Sequence, residues 1–185
     1  EKYFSEVVTM NKKYFSRQLI KEPNLTFFFD EVIKQFPASI YIFIIRDPRD
    51  NIRSILNRRN IHGNLNELPD SHPILKHSVH KGLFDRDLWG AKDNENYIEI
   101  LSHRWNRAVE NFLVHKDKFI LIKYEDFLKE KVGTIRSIAQ QIGIKQKHDI
   151  SEKVDIQYQP KGQTNISLDE FFGKQNLRRI KYLCG

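Results

Sequence analysis

The feature that most constrains this chain is the run Ile40–Ile45, which leads through Arg46 straight into Asp47-Pro48. Six successive apolar or aromatic residues without alternation are the signature of a strand buried on both faces. Such a strand demands helices on either side, and one begins at once. Pro48 suits a first helical position, either Asp47 or Asp50 can cap it, and Ile52, Ile55 and Leu56 supply its buried stripe. A second short apolar run, Phe119–Ile122, follows a long amphipathic segment. That segment, Tyr97–His115, aligns Ile98, Leu101, Trp105, Ala108 or Val109, and Phe112 on one face. Strands alternating with helices of this length predict an α/β fold with a parallel sheet.

The remaining segments fit that frame. Thr26–Phe36 has helical spacing at Phe28, Val32, Ile33 and Phe36, and Pro37 stops it. Val132–Ile142 is a further amphipathic helix closed by Gly143. Leu168–Phe172 and Gln175–Leu183 read as helical and basic. Between Asn57 and Asn96 the periodicity fades among Gly63, Pro69, Pro73, Gly82, Gly90 and four histidines. This stretch reads as an irregular insertion with short helices inside a single domain of residues 1–185.

At the exit of the first strand, two arginines and two aspartates crowd together in "RDPRD", with Arg53 one turn on. One reading is a set of surface ion pairs, Asp47 and Asp50 with Arg46, Arg49 and Arg53, which contribute little. The other is an anion cradle. In open α/β sheets ligands gather at the carboxyl ends of strands, where helix N-termini offer backbone N–H groups. Arg46 stands at such an end, and Ser54 and Arg58 lie one turn apart on one face of the next helix. A planar guanidinium, a hydroxyl and a second cation suit a phosphate dianion. The net charge of +7 and the pI near 9.4 favour anionic partners without choosing among them.

The segment "YIFIIRDPRDNIRSIL" resembles the 3′-phosphate-binding segment of sulfotransferases that use 3′-phosphoadenosine 5′-phosphosulfate (PAPS). In that family a strand, an Arg, a short Asp/Asn-Pro turn and a helix Ser eight residues after the Arg bind the 3′-phosphate, and Arg46 and Ser54 match that spacing. Upstream, "LIKEPNL" resembles the family's Lys-x-Pro segment, whose lysine reaches the sulfuryl group and its bridging oxygen. Lys21 occupies that position. Downstream, "FILIKYEDFLKEKVGTIRSIAQQIGI" resembles the family's strand, Tyr-Glu-Asp turn and helix, which places Tyr124 near the adenine. Glu125 and Asp126 are read as caps of the following helix.

"PKGQ" resembles the basic-Gly segment that closes over the 3′-phosphate, through Lys161 and Gly162. Pro160 stands where many relatives have arginine, and the following Gly-x-Trp is absent. The terminal "NLRRIKYLCG" resembles the late helix of the carbohydrate and protein-tyrosine branches. The resemblance implies a three-layer, P-loop-NTPase-like α/β domain that moves a sulfuryl group from PAPS to an acceptor hydroxyl or amine. Arg46, Ser54, Arg58, Lys161 and Gly162 would serve the 3′-phosphate, Tyr124 the adenosine and Lys21 the transferring group. The acceptor would be a small molecule, carbohydrate, lipid or peptidyl group, selected on the side of residues 57–96. None of the eight glycines forms the family's glycine- and threonine-rich phosphosulfate loop. That loop is therefore expected in an N-terminal segment ahead of Glu1, with these residues an N-terminally truncated part.

His72, His77 and His80 could suggest a metal site, but spacing alone is poor evidence, no cysteine supports it, and the implied reaction needs no metal. The single cysteine, Cys184, excludes a disulfide framework and a zinc ribbon. No apolar run reaches the length of a membrane span, and no signal-peptide pattern is present, so a cytoplasmic setting is favoured while location stays open. Trp105, Phe112 and Phe127 are read as core. Two alternatives remain: a basic nucleic-acid-binding domain, motivated by Arg178, Arg179 and Lys181, or a nucleotide kinase or NTPase of related fold.

Overall fold

The structure, a computed structural model, describes residues 2–76, 82–156, 162 and 165–185. Its helices begin with α1 (Lys2–Met10) and α2 (Lys12–Phe15), followed by a 3-10 segment, Pro23–Phe28, and α3 (Phe29–Gln35). Strand β1 (Tyr41–Ile45) runs into α4 (Pro48–Arg58). The stretch between residues 57 and 96 holds α5 (Pro73–Lys76), a 3-10 turn at Gly82–Phe84 and α6 (Arg86–Trp89). Then come α7 (Tyr97–Val114), β2 (Phe119–Lys123), α8 (Tyr124–Lys129), α9 (Lys131–Gln141) and α10 (Leu168–Cys184).

The two strands pair in parallel, Tyr41 opposite Phe119 and Ile45 opposite Lys123, and form the whole sheet among the described residues. A parallel pair requires a long crossover, which α4, the 57–96 stretch and α7 provide. The chain is thus a mixed α/β fold with a small parallel sheet.

The strand differs from its expectation in one respect. Phe43 is buried, but Ile44 is 61% exposed, and Ile40 lies outside the strand at 57%. The covered face meets aromatic side chains: Phe43 stacks on Phe112 of α7 at 4.9 Å, and Phe119 on Phe29 of α3 at 4.1 Å. On the other face Ile122 of β2 is buried beside the open Ile44 of β1. An unbroken apolar run reports how greasy a strand is, not which of its faces receives a partner.

The helix expected over Thr26–Phe36 is split. Pro23 starts a 3-10 turn, capped by the Glu22 side chain accepting from the Asn24 N–H, and the α-helix begins only at Phe29. Phe28, at φ −120°, is too extended to join the two. By contrast, the break anticipated between Phe172 and Gln175 is present. Gly173 adopts φ 68° and ψ 161° there, a conformation that favours glycine, and kinks α10.

The main core lies where α4, α7 and α10 meet. Ile52 and Leu56, Ile98 and Leu101, and Phe172, Leu177 and Ile180 are all buried there. Each such side chain contributes about 1.5–3 kcal/mol relative to exposure. The 57–96 stretch is part of this core, supplying Ile61, Ile74 and Phe84. Polar groups fix its start: the Tyr97 hydroxyl donates to the His62 carbonyl at 2.7 Å, and buried Asn176 donates to the carbonyls of Gly63 and Leu65. Asn96 links the two by donating to Asn176 Oδ1 at 3.0 Å, while its own carbonyl-type oxygen caps α7.

Candidate anion site at the strand exits

The ion-pair reading of the charged cluster holds for Arg49 and Arg53. Asp47 caps α4, accepting the Arg49 N–H at 2.9 Å, and pairs with the Arg49 guanidinium. That guanidinium holds the Asp47 carboxyl below the usual carboxylate range. Asp50 pairs with Arg53 at 2.6 Å. Arg46 is left out of these pairs. Its guanidinium lies over the Tyr124 ring, 4.7 Å from the centroid, and its Nε is buried without a partner among the described residues. A stacked cation with an unbonded donor edge is suited to a planar or tetrahedral oxyanion.

The contact between Arg46 and Tyr124 continues the sheet. Ile45 pairs with Lys123, so Arg46 faces Tyr124 and Asp47 faces Glu125 in the same register. Glu125 was expected to cap a helix, but α8 starts at Tyr124, and its N-cap residue, Lys123, makes no side-chain cap. Instead Glu125 Oε1 accepts the backbone N–H of Asp47 at 2.9 Å. Asp126 pairs with Lys129 on the exposed side of α8. On the other flank, Trp105 Nε1 donates to the Arg46 carbonyl at 3.0 Å. Trp105, Phe112 and Phe127, expected in the core, are each half-buried. Trp105 is better described as a brace for the strand exit. Sequence reasoning missed Trp105 and Glu125 in these roles; the adjacency of Glu125 to Tyr124 was the one available signal.

Along α4, Ser54, Asn57 and Arg58 share a face by their three- and four-residue spacing. Ser54 is half-buried and its hydroxyl has no partner among the described residues, while Arg58 is exposed. The chain returns to this face at Gly162. A Cβ built there would lie 2.5 Å from Asn57 Nδ2 and 2.9 Å from Asn57 Cβ. Only glycine allows that approach. The Ile166 carbonyl accepts from Arg53 at 3.4 Å, holding the same return against α4. Lys161 lies outside the described residues.

Lys21 is exposed, and its side chain has no partner among the described residues. Its carbonyl accepts the Tyr14 hydroxyl at 3.4 Å. Contact with Arg46 is therefore not direct; α7 is the common support. Arg104 of α7 donates to Asn24, three residues after Lys21, and the next residue, Trp105, holds Arg46.

The other candidates are placed as follows. His72 Nδ1 accepts the Ile74 N–H at 3.3 Å, and His77 and His80 lie outside the described residues. No group of three His, Cys, Asp or Glu among the described residues could hold a metal ion. Burial pushes the Cys184 thiol up to about 11, which keeps it protonated at neutral pH. Arg179 pairs with Glu99 at 3.4 Å, whereas Arg178 and Lys181 line a shallow groove on α10. No described helix is long and apolar enough to cross a membrane.

Two strand exits in register thus present one stacked arginine, with a hydroxyl and a glycine-lined approach on the neighbouring helix. No curated protein and no solved structure matches the chain. The model of the sulfotransferase family matches residues 1–149, and the chain belongs to that family.

Proposed function

We propose that this chain binds PAPS at the strand exits and transfers its sulfuryl group to an acceptor hydroxyl or amine. The observation that carries the reading is Arg46: a half-buried guanidinium, stacked on Tyr124, whose Nε has no partner among the described residues. A 3′-phosphate would supply the missing acceptor oxygen. Ser54 would add a hydroxyl donor and Arg58 a second cation, with Lys161 and Gly162 closing over them. Tyr124 would offer the adenosine its ring edge and hydroxyl while its face holds Arg46.

PAPS, when bound, supplies the activated sulfuryl group: sulfur bonds to the acceptor atom, the bridging oxygen leaves with its electron pair, and the acceptor proton goes to a base. The protein's part is positioning and charge stabilisation. Lys21 would neutralise the leaving oxygen as it becomes anionic. The P-loop-NTPase-like, three-layer arrangement is part of this proposal, supported by the parallel pairing and the ligand-facing strand ends.

Calorimetry with adenosine 3′,5′-bisphosphate and adenosine 5′-phosphate tests the reading. Arg46→Ala should weaken the bisphosphate by roughly tenfold or more, as expected for a charge-assisted contact of about 1.5–3 kcal/mol, and leave the monophosphate little changed. Equal losses for both ligands would remove the 3′-phosphate from this site.

A further inference from the structure

Arg104 repeats the construction of Arg46 at a second place. Its guanidinium lies 4.7 Å from the centroid of Phe27 and 5.4 Å from that of Trp89, two rings that themselves stand 4.7 Å apart. Its one hydrogen bond among the described residues runs from Nη2 to the neutral Asn24 Oδ1 at 3.1 Å. Among the described residues Nε is buried without a partner, and Nη1 makes no bond. No carboxylate among the described residues pairs with it, although Arg49, Arg53 and Arg179 each have one. Arg59 shares the orphaned Nε but has no described ring beneath it.

Burying a cation without a counter-charge is unfavourable. The two aromatic faces replace part of its hydration, but they accept none of its in-plane N–H bonds. Burial lowers the Arg104 pKa to about 10, so the group stays charged at neutral pH. The protein therefore holds a fixed positive charge with an unused planar donor edge.

Its surroundings indicate which molecule meets that edge. Asn24 and Phe27 follow Lys21 by three and six residues, and Trp89 belongs to the 57–96 stretch. Arg104 thus joins the segment assigned to the transferring group to the stretch assigned to the acceptor. We propose that Arg104 binds an anionic group on the acceptor, a carboxylate or a sulfate already in place, adjacent to the atom being sulfated. An acidic acceptor approaching an anionic donor needs such a fixed cation between them to offset their repulsion. The proposal rests on the sulfuryl-transfer reading for the word acceptor, but the anion site itself can be tested without it.

In the full-length protein carrying Arg46→Ala, which silences the other arginine, the Nε–Hε resonance of Arg104 is followed by NMR. Sodium acetate and sodium sulfate are titrated against sodium chloride at constant ionic strength. A saturable movement of that resonance is expected, with acetate marking a carboxylate acceptor and sulfate a sulfated one. Arg104→Gln should weaken the same anion by about tenfold in calorimetry, and Arg104→Lys should recover part of the loss. A resonance unmoved by either anion overturns the proposal, whatever the variants do. If Arg46→Ala leaves bisphosphate binding intact while Arg104→Gln abolishes anion binding, the 3′-phosphate reading fails and the Arg104 site stands.

Discussion

Glu125 accepts the backbone N–H of Asp47 at 2.9 Å, joining residues seventy-eight positions apart just beyond the two strand ends. The preceding residues of the same two dipeptides, Arg46 and Tyr124, stack on each other. The sheet register therefore extends by two residues through a ring contact and a side-chain hydrogen bond rather than through ladder bonds. The site's geometry depends on this extension.

Replacing Glu125 tests that dependence. Glu125→Ala leaves the Asp47 N–H without its acceptor and should lower stability by about 1–3 kcal/mol, together with affinity for adenosine 3′,5′-bisphosphate. Glu125→Gln keeps an oxygen acceptor at the same reach and should stay near wild type in both. Thermal melts and calorimetry on the pair decide it; a glutamine variant as impaired as the alanine one would show that charge, not the bond, matters.

Lys21 should separate turnover from binding. If it acts on the leaving oxygen, Lys21→Ala lowers kcat by about a hundredfold, the size seen when a donor aimed at developing charge is removed. The donor's Kd should change little. Unchanged kcat in a PAPS-dependent assay would return Lys21 to the solvated surface.

Gly162 should be intolerant of a side chain for a reason that a second mutation can remove. Gly162→Ala forces its Cβ into Asn57, an overpacking that costs about 1–3 kcal/mol. Asn57→Ala vacates that space, so the double variant should regain most of the loss. Additive destabilisation in a double-mutant cycle would mean the two residues do not meet.

Alkaline unfolding should report Tyr97. Burial pushes its phenol up to about 12 from the usual 10, so the folded state retains a proton that the unfolded chain gives up. Its effect on stability is absent below pH 10 and grows unfavourably as pH rises toward 12. Arg104, lowered to about 10, acts with the opposite sign in the same window. The comparison is therefore with Tyr97→Phe, which shares that arginine. The variant should be less stable at neutral pH, having lost the bonds to His62 and Leu65, yet fall less steeply above pH 10. Parallel curves would show that the Tyr97 phenol is not shielded.

The parts legible in the sequence were those governed by neighbours in the chain. The apolar run, Pro48 at a first helical position and Asp47 as its cap placed β1 and α4 within a residue or so. The spacing of Arg46, Ser54 and Arg58 placed these residues at a strand exit and on a helix face. Gly173 separated two helical segments that local periodicity could see. Trp105 and Glu125 were misread because their work is done across the fold. A tryptophan on an amphipathic stripe looks like core, and a glutamate at a helix start looks like a cap. Which face of β1 is covered was illegible for the same reason, since Ile44 and Phe43 are equally apolar and differ only in what packs on them.

The parallel pairing of β1 with β2 has a consequence for the order of folding. Every β1–β2 contact closes a loop of seventy-eight residues, whereas the contacts within α4, α7 and α10 are local. Loop closure of that length must be met before the pairing is rewarded, and non-local contacts of this kind form slowly. Helix content should therefore recover ahead of the Arg46–Tyr124 stack when the chain refolds. If the chain binds PAPS as proposed, nucleotide binding would mark the last step of assembly, after the helices have been regained.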